Sequence, residues 1–345
     1  MIRGALAIAS NTAAAQAASA ALDNVGTAAD AVIAGFLAHA GAEAGVLLAP
    51  VVAIVAGVGA GARVLDGRAL QPGKGTARPR GFKTEAEVPR AARVGVPRSL
   101  GFVALMHASR GRSRLNDLVK PGVAAAENAG AAARAALLRR FGASGQTVLR
   151  SEEFVGALLA AAGPVVGGLL TAEDFDSALP DDVPATSMPM GADYAVLGLP
   201  WDGPLGRFAP ADVILASDGR GLVAALAYVP ARREDGLPVP ELGLVLGMHA
   251  HPVRRGIPRT KPGTALDMSA PIAIATRAGA AAAIALLGKS SVDASTLSGV
   301  IEGWPTDATL EDLRAQTKAR SVLALLRDAR DARALRTTED AGQSD

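Results

Sequence analysis

Apolar and polar positions follow two different rhythms along this chain. Residues 10–41 carry apolar side chains at helical spacing, which predicts an alanine-rich helix capped by Asn11 or Thr12 and a second helix around Asp30 to Ala40. Residues 46–66 are rich in β-branched residues and broken at glycines, so they read as strand. The stretch from Gln71 to Pro89 is a loop of Gly, Pro and charge, and from Ser99 the helical rhythm returns through SEEFVGALLAAAG. Beyond the Pro- and Asp-rich linker ALPDDVPATSMPMG, short apolar runs (DVILASD, GLVAALAYV, LGLVLGM, APIAIAT) alternate with turn signals and predict consecutive strands of one sheet. Two further helices are expected around Gly279 to Leu287 and Leu310 to Ala334, before the polar ending TTEDAGQSD. Helices, then strands, then helices suggest stacked α and β layers.

Composition narrows the picture. Half of the residues are apolar but only 3% are aromatic, so the interior has to be assembled from closely packed Ala, Val, Leu, Ile and Gly. Thirty-five basic residues against 33 acidic ones leave +2, with no basic block interleaved with aromatics, so no nucleic-acid partner is expected. Without cysteine, the chain has no disulfide, thiolate metal site or Cys nucleophile. Ser10, Asn11, Thr12 and Gln16 interrupt any signal core, and a cytoplasmic protein is expected. The uncharged run from Ala44 to Ala62 is long enough to span a membrane. It holds Pro50, Gly45, Gly57, Gly59 and Gly61, however, and reads better as buried strands, so no membrane partner is expected.

Ordered local motifs then carry a resemblance. VGTAADAV (Val25 to Val32) looks like a GGNAxDAAV segment with Gly26, Ala28 and Asp30 kept, and VLDGRALQP (Val64 to Pro72) looks like a segment that positions a substrate-binding arginine, here Arg68. VGVPRSLGF with the helical stretch after it, GGLLTAEDF (Gly167 to Phe175) and KPGTALDMSAPIAI (Lys261 to Ile274) follow in matching order. Together they resemble the gamma-glutamyltransferase family, as a shortened and degenerate member lacking insertions chiefly between Pro180 and Ala211. The fold this implies is α+β, an Ntn-hydrolase-like αββα sandwich. The implied organisation is one composite domain: a large-subunit-like half over 1–180, a small-subunit-like half over 181–336, and a disordered tail over 337–345. No cofactor is implied.

In that family a precursor cuts itself before a threonine whose hydroxyl then attacks the gamma-glutamyl carbonyl. The corresponding segment maps onto ADVILASDGRG, anchored at Asp218, which leaves Ala211 at the nucleophile position, Asp212 beside it and Val213 at the family's histidine. A methyl group offers no attacking atom and permits no acyl shift. No Thr lies between Thr186 and Thr260, and Ser217, the nearest hydroxyl, is expected on the opposite side of the strand. Other positions diverge as well. No asparagine occurs in ALAYVPARR, the acidic pair falls near His251 and Pro252, and the serine pair falls near Leu266 and Asp267, with Ser269 close by. The oxyanion glycines fall near Ala278 and Gly279, whose backbone N–H groups still offer a donor pair.

The resemblance therefore implies a ligand-binding set of Arg68, Asp267, Ser269, Ala278 and Gly279 without a catalytic residue. Arg68 also reads as a structural ion pair, and Asp212, beside the vacated position, reads as an acid or base, or as a turn cap or the partner of an arginine. His249 and His251 form an H-x-H that suits a metal on a strand, or a solvated loop. The leading expectation is a non-catalytic, unprocessed protein that binds a small carboxylate or gamma-glutamyl compound, or serves as a scaffold or regulatory subunit. A transferase or amide hydrolase with a divergent nucleophile is the alternative. A protein partner or homo-oligomer docking through the alanine-rich helices is a third.

Overall fold

The computed structural model describes residues 4–57, 60–76, 81–176, 178–190, 194–202, 211–268, 270–288, 306–328 and 331–338. Two six-stranded antiparallel sheets face each other. The first runs in the order β1 (Leu6–Ala9), β8 (Asp212–Ser217), β9 (Val223–Tyr228), β2 (Val51–Gly57), β3 (Ala60–Gly67) and β5 (Asp181–Pro184). The second runs β16 (Ala332–Thr338), β15 (Ser321–Arg327), β14 (Ala280–Leu287), β13 (Ile272–Arg277), β7 (Tyr194–Gly198) and β6 (Thr186–Met190). Two small pairs lie outside them: β10 (Leu237–Val239) with β11 (Leu244–Leu246), and β4 (Gly81–Phe82) with β12 (Val253–Arg254).

Strand alternation divides each sheet between two layers. From β8, Val213 and Leu215 cluster with Ile274, Ala283 and Leu325 between the sheets, while Ile214 and Ala216 join the helical layer. On the outer face of the second sheet, Ala273, Ile284 and Val322 cluster with Leu310 and Leu313 of the helix Asp307–Thr317. The layers are helix, sheet, sheet, helix, so the αββα sandwich holds. Small side chains set its spacing. Helix α1 (Thr12–Asp23) lies against α2 (Ala28–Ala42), which is buried from Ala28 through Gly41. The helix Lys120–Asn128 crosses α2 so closely that a Cβ on Gly41 would stand 1.9 Å from the Gly122 carbonyl oxygen.

Several elements depart from the pattern read along the chain. The run expected as helix around Gly279 to Leu287 is a turn at Gly279 followed by strand from Ala280, because AAAAIALL is covered by apolar side chains on both faces, and a continuous apolar run carries no period to separate the two states. The region from Leu310 to Ala334 divides into a helix ending at Thr317 and strands β15 and β16. LEU-rich LGLVLGM supplies only β11 of a small hairpin, and DVILASD and APIAIAT belong to different sheets rather than to one. Thr337 and Thr338 remain within β16, and residues 339–345 lie outside the described residues. Strands from both halves of the chain interleave in the first sheet, where β8 and β9 sit between β1 and β2.

The turn between α1 and α2 holds a strained residue. Val25 adopts φ 63° while 63% exposed, at a position where the motif it resembles has glycine. A β-branched residue in the left-handed region costs about 1–2 kcal/mol, partly offset because glycine loses more backbone entropy on folding. Val25→Gly is therefore expected to raise the unfolding free energy by about 1 kcal/mol, seen as a higher urea midpoint at unchanged slope.

Candidate functional site

Ladder register sets the site's frame. Gly67, Val51, Tyr228 and Asp212 pair in one row across β3, β2, β9 and β8. At about 4.8 Å per strand, Arg68 and Ala211 thus flank the same end of the sheet, roughly 14 Å apart in backbone terms. Ala211 precedes β8 and lines a cleft of about 1090 Å³, together with Ser10, Glu43, Asp212, Arg232, Arg336 and others.

β1 brings in a residue that sequence spacing did not reveal. Because β1 pairs with β8, Ser10 arrives beside Asp212: its Oγ donates to Asp212 Oδ1 at 2.7 Å and accepts from the Val213 amide at 3.0 Å. Asp212 thus accepts a neighbour's hydroxyl. Ser217, by contrast, lies at the far end of β8. It stands at even spacing from Ala211, on the side shared by Val213 and Leu215 and not on the opposite side, and its hydroxyl donates to the Gly4 carbonyl.

Arg68 is engaged. Its Nε and Nη2 donate to the Asp66 carboxylate at 2.9–3.1 Å, and its Cζ sits 3.6 Å from the centroid of the Trp201 ring. Asp66 also faces the buried Arg98, whose Nε donates to the Arg68 carbonyl and whose Nη1 donates to Leu179 O and Asp181. Asp267 is exposed on the adjoining segment, where the Leu266 amide donates to Ala69 O. Ser269 lies outside the described residues. Ala278 and Gly279 do not converge on Ala211. They form the β13–β14 turn, with Gly279 at φ 71°, whereas the opposite end of β14, Leu287, lines the cleft. Seven residues of strand separate the two, about 23 Å.

A buried polar chain runs behind the cleft. Tyr228, fully buried and edge-on to Phe36, has its hydroxyl 2.6 Å from His39 Nδ1, and His39 Nε2 lies 3.1 Å from Oε1 of Glu43 on the cleft wall. Burial, with the nearby Asp212 and Glu43 charges, pushes the Tyr228 hydroxyl well above the usual phenol range, so it stays a neutral donor or acceptor. Sequence reading misses this contact, although a histidine on a helix otherwise apolar after Asp30 could have marked it.

The H-x-H segment is loop rather than strand. His251 is exposed, with Nδ1 3.3 Å from Thr260 Oγ1, and among the described residues no group of three or more possible metal ligands gathers. His249 Nε2 is buried without a hydrogen-bond partner among the described residues, and burial holds its imidazole below the usual histidine range. A folded state that refuses a proton accepted by the unfolded chain loses stability as pH falls below about 6.5, and the loss levels off beneath the depressed folded value. Urea titrations of His249→Gln are expected to show a shallower decline between pH 7 and pH 5 than the parent chain; equal declines would refute this.

The retained motif acids hold the frame together. The Asp30 carboxylate accepts from the Thr27, Arg112 and Ser113 amides, Asp174 from those of Gly73, Lys74 and Thr171, and Asp218 from those of Ala28, Arg220 and Leu222.

Two facing sheets between helical layers, with the site at the sheet ends, define the Ntn-hydrolase fold. Solved structures similar to this chain include LmbA2991, 14% identical at TM-score 0.72 with 98% of each chain covered. Cephalosporin acylase from Bacillus halodurans is likewise 14% identical, at TM-score 0.70, over 98% of this chain and 94% of that one. Gamma-glutamyltranspeptidase from Pseudomonas nitroreducens is 18% identical over 58% of this chain and 72% of its own, at TM-score 0.49. No protein-family model matches the sequence, and no curated protein matches it either. No helix among the described residues is long and apolar enough to cross a membrane.

Proposed function

We propose that this chain is a gamma-glutamyltransferase-like protein that stays in one piece, does not run that family's reaction, and acts by binding a small carboxylate or as a scaffold or regulatory subunit. The observation that carries the reading is Ala211: the residue just before β8 at the cleft ends in a methyl group. Supporting it, the guanidinium of Arg68 already has a carboxylate partner in Asp66, and the acids kept in the motifs serve the frame. A carboxylate ligand on the Arg68 side has to compete with Asp66 for the fork or take up contacts beside it through Asp267.

The test is direct. Purified protein is expected to keep a single intact mass of 34.6 kDa after prolonged storage and to turn over a chromogenic gamma-glutamyl anilide no faster than buffer. Ala211→Thr is expected to leave both results unchanged, because the family's asparagine, acidic pair and serine pair are missing too. Two fragments parting before Ala211, or turnover above buffer, would overturn the reading.

One observation favours a second reading, an amide hydrolase with a different nucleophile: the Ser10 hydroxyl donates to a carboxylate at the cleft. On that reading a serine-reactive probe labels Ser10, and Ser10→Ala abolishes the labelling.

A further inference from the structure

Several arginines elsewhere in this chain meet carboxylates. Arg63 pairs with Asp182, Arg68 and Arg98 with Asp66, Arg139 with Glu127 and Arg254 with Glu85. The arginines of the cleft beside Ala211 are not among them. Arg232, Arg233, Arg320 and Arg336 all line it, and none has an ion pair or side-chain hydrogen bond to another described residue. Lys318 lines it as well. These side chains come from separate places in the fold: the segment after β9, the segment between the helix Asp307–Thr317 and β15, and the edge strand β16. Like charges gathered from distant segments repel one another, and the four arginines have no ion-pair partner among the described residues.

Three carboxylates share the lining: Asp212, Glu43 and Glu234. Asp212 accepts the Ser10 hydroxyl, and Glu43 faces His39 Nε2. A hydrogen bond from a neutral hydroxyl leaves the Asp212 charge in place, so four arginines face three carboxylates. The cleft's volume of about 1090 Å³ suits a small molecule. Planar guanidinium forks match the oxygens of carboxylate and phosphate groups in pairs.

We infer that this cleft binds a small anion with clustered anionic oxygens, held by Arg232, Arg233, Arg320 and Arg336. The site is separate from Arg68, which does not line the cleft, and it does not depend on any gamma-glutamyl reading. The shared chemistry is clustered anionic oxygen, carried on phosphates or on carboxylates.

Isothermal titration calorimetry on the full chain tests this, with inorganic tripolyphosphate in one arm and citrate in the other. Saturable binding at one site is expected in at least one arm, weakening as salt is raised. A tighter tripolyphosphate arm assigns phosphate as the charge carrier, and a tighter citrate arm assigns carboxylate. R232Q and R336Q are each expected to weaken binding about tenfold, whereas R139Q, on a distant exposed helix, leaves it unchanged. Unliganded thermal midpoints of the variants check that the fold is retained. The inference falls if neither anion binds below about 1 mM, if R232Q and R336Q bind like the parent chain, or if R139Q weakens binding equally. Binding that fails while the protein stays intact and inactive on the anilide removes this inference alone.

Discussion

Asp30→Ala lowers the unfolding free energy by about 3–5 kcal/mol, the largest loss expected from any single substitution considered for this chain. The side chain is fully buried and closes the capping box of α2 by accepting from the Thr27 amide at 2.9 Å. It also accepts from the Arg112 amide at 3.1 Å and from the amide and hydroxyl of Ser113 at 3.2 Å, so it fixes the turn after the helix α3 (Ser99–Arg110) against the start of α2. Alanine strands these donors in a place water does not reach, and each orphaned donor costs about 1–3 kcal/mol before relaxation. Urea denaturation measures the effect. Asp30→Asn, which keeps the shape and one acceptor oxygen, is expected to recover part of the loss. A loss below about 1 kcal/mol for alanine would mean that the turn finds other partners.

Asp66→Ala is the second. Its carboxylate lies between Arg68 and the nearly inaccessible Arg98, with Arg98 Nη2 at 3.2 Å. Without it two guanidinium groups face one another at the end of β3, and Asp181 remains as the only carboxylate paired with Arg98 among the described residues. Removing one member of a buried ionic group costs about 3–5 kcal/mol because the partner's charge stays uncompensated. The double variant Asp66→Ala/Arg98→Met is expected to be more stable than Asp66→Ala alone, and a double-mutant cycle isolates that coupling. Additive losses would show that Asp66 acts by packing alone.

Much of this architecture is legible in the residues, and what is not has physical causes. Helices α1 and α2 follow from their spacing and caps, and β2, β3, β8, β9 and β13 from β-branched runs between turn signals. β14 and the β15–β16 hairpin escape such reading because alanine, leucine and arginine favour helices in isolation, and only packing against two neighbouring layers overrides that preference. The four-residue β1 is too short to show a period. Ala211 and Asp212 are found at the cleft, where the aligned segment points. Ser10, Glu43 and the cleft arginines gather there from segments far apart in the chain, and no local spacing encodes such an encounter. Ala278 and Gly279 illustrate the reverse: a glycine at a sharp turn reads equally as an oxyanion loop or as the bend of a hairpin.

The interleaved first sheet carries a consequence for biosynthesis. Leu6 pairs with Ser217 and Ala9 with Ile214, so the edge of the sheet stays open while some two hundred intervening residues emerge from the ribosome. Contacts of such long range make assembly slow and leave apolar surface of α1 and β2 uncovered in nascent chains. Expression at low temperature or with added chaperones should accordingly raise the soluble yield.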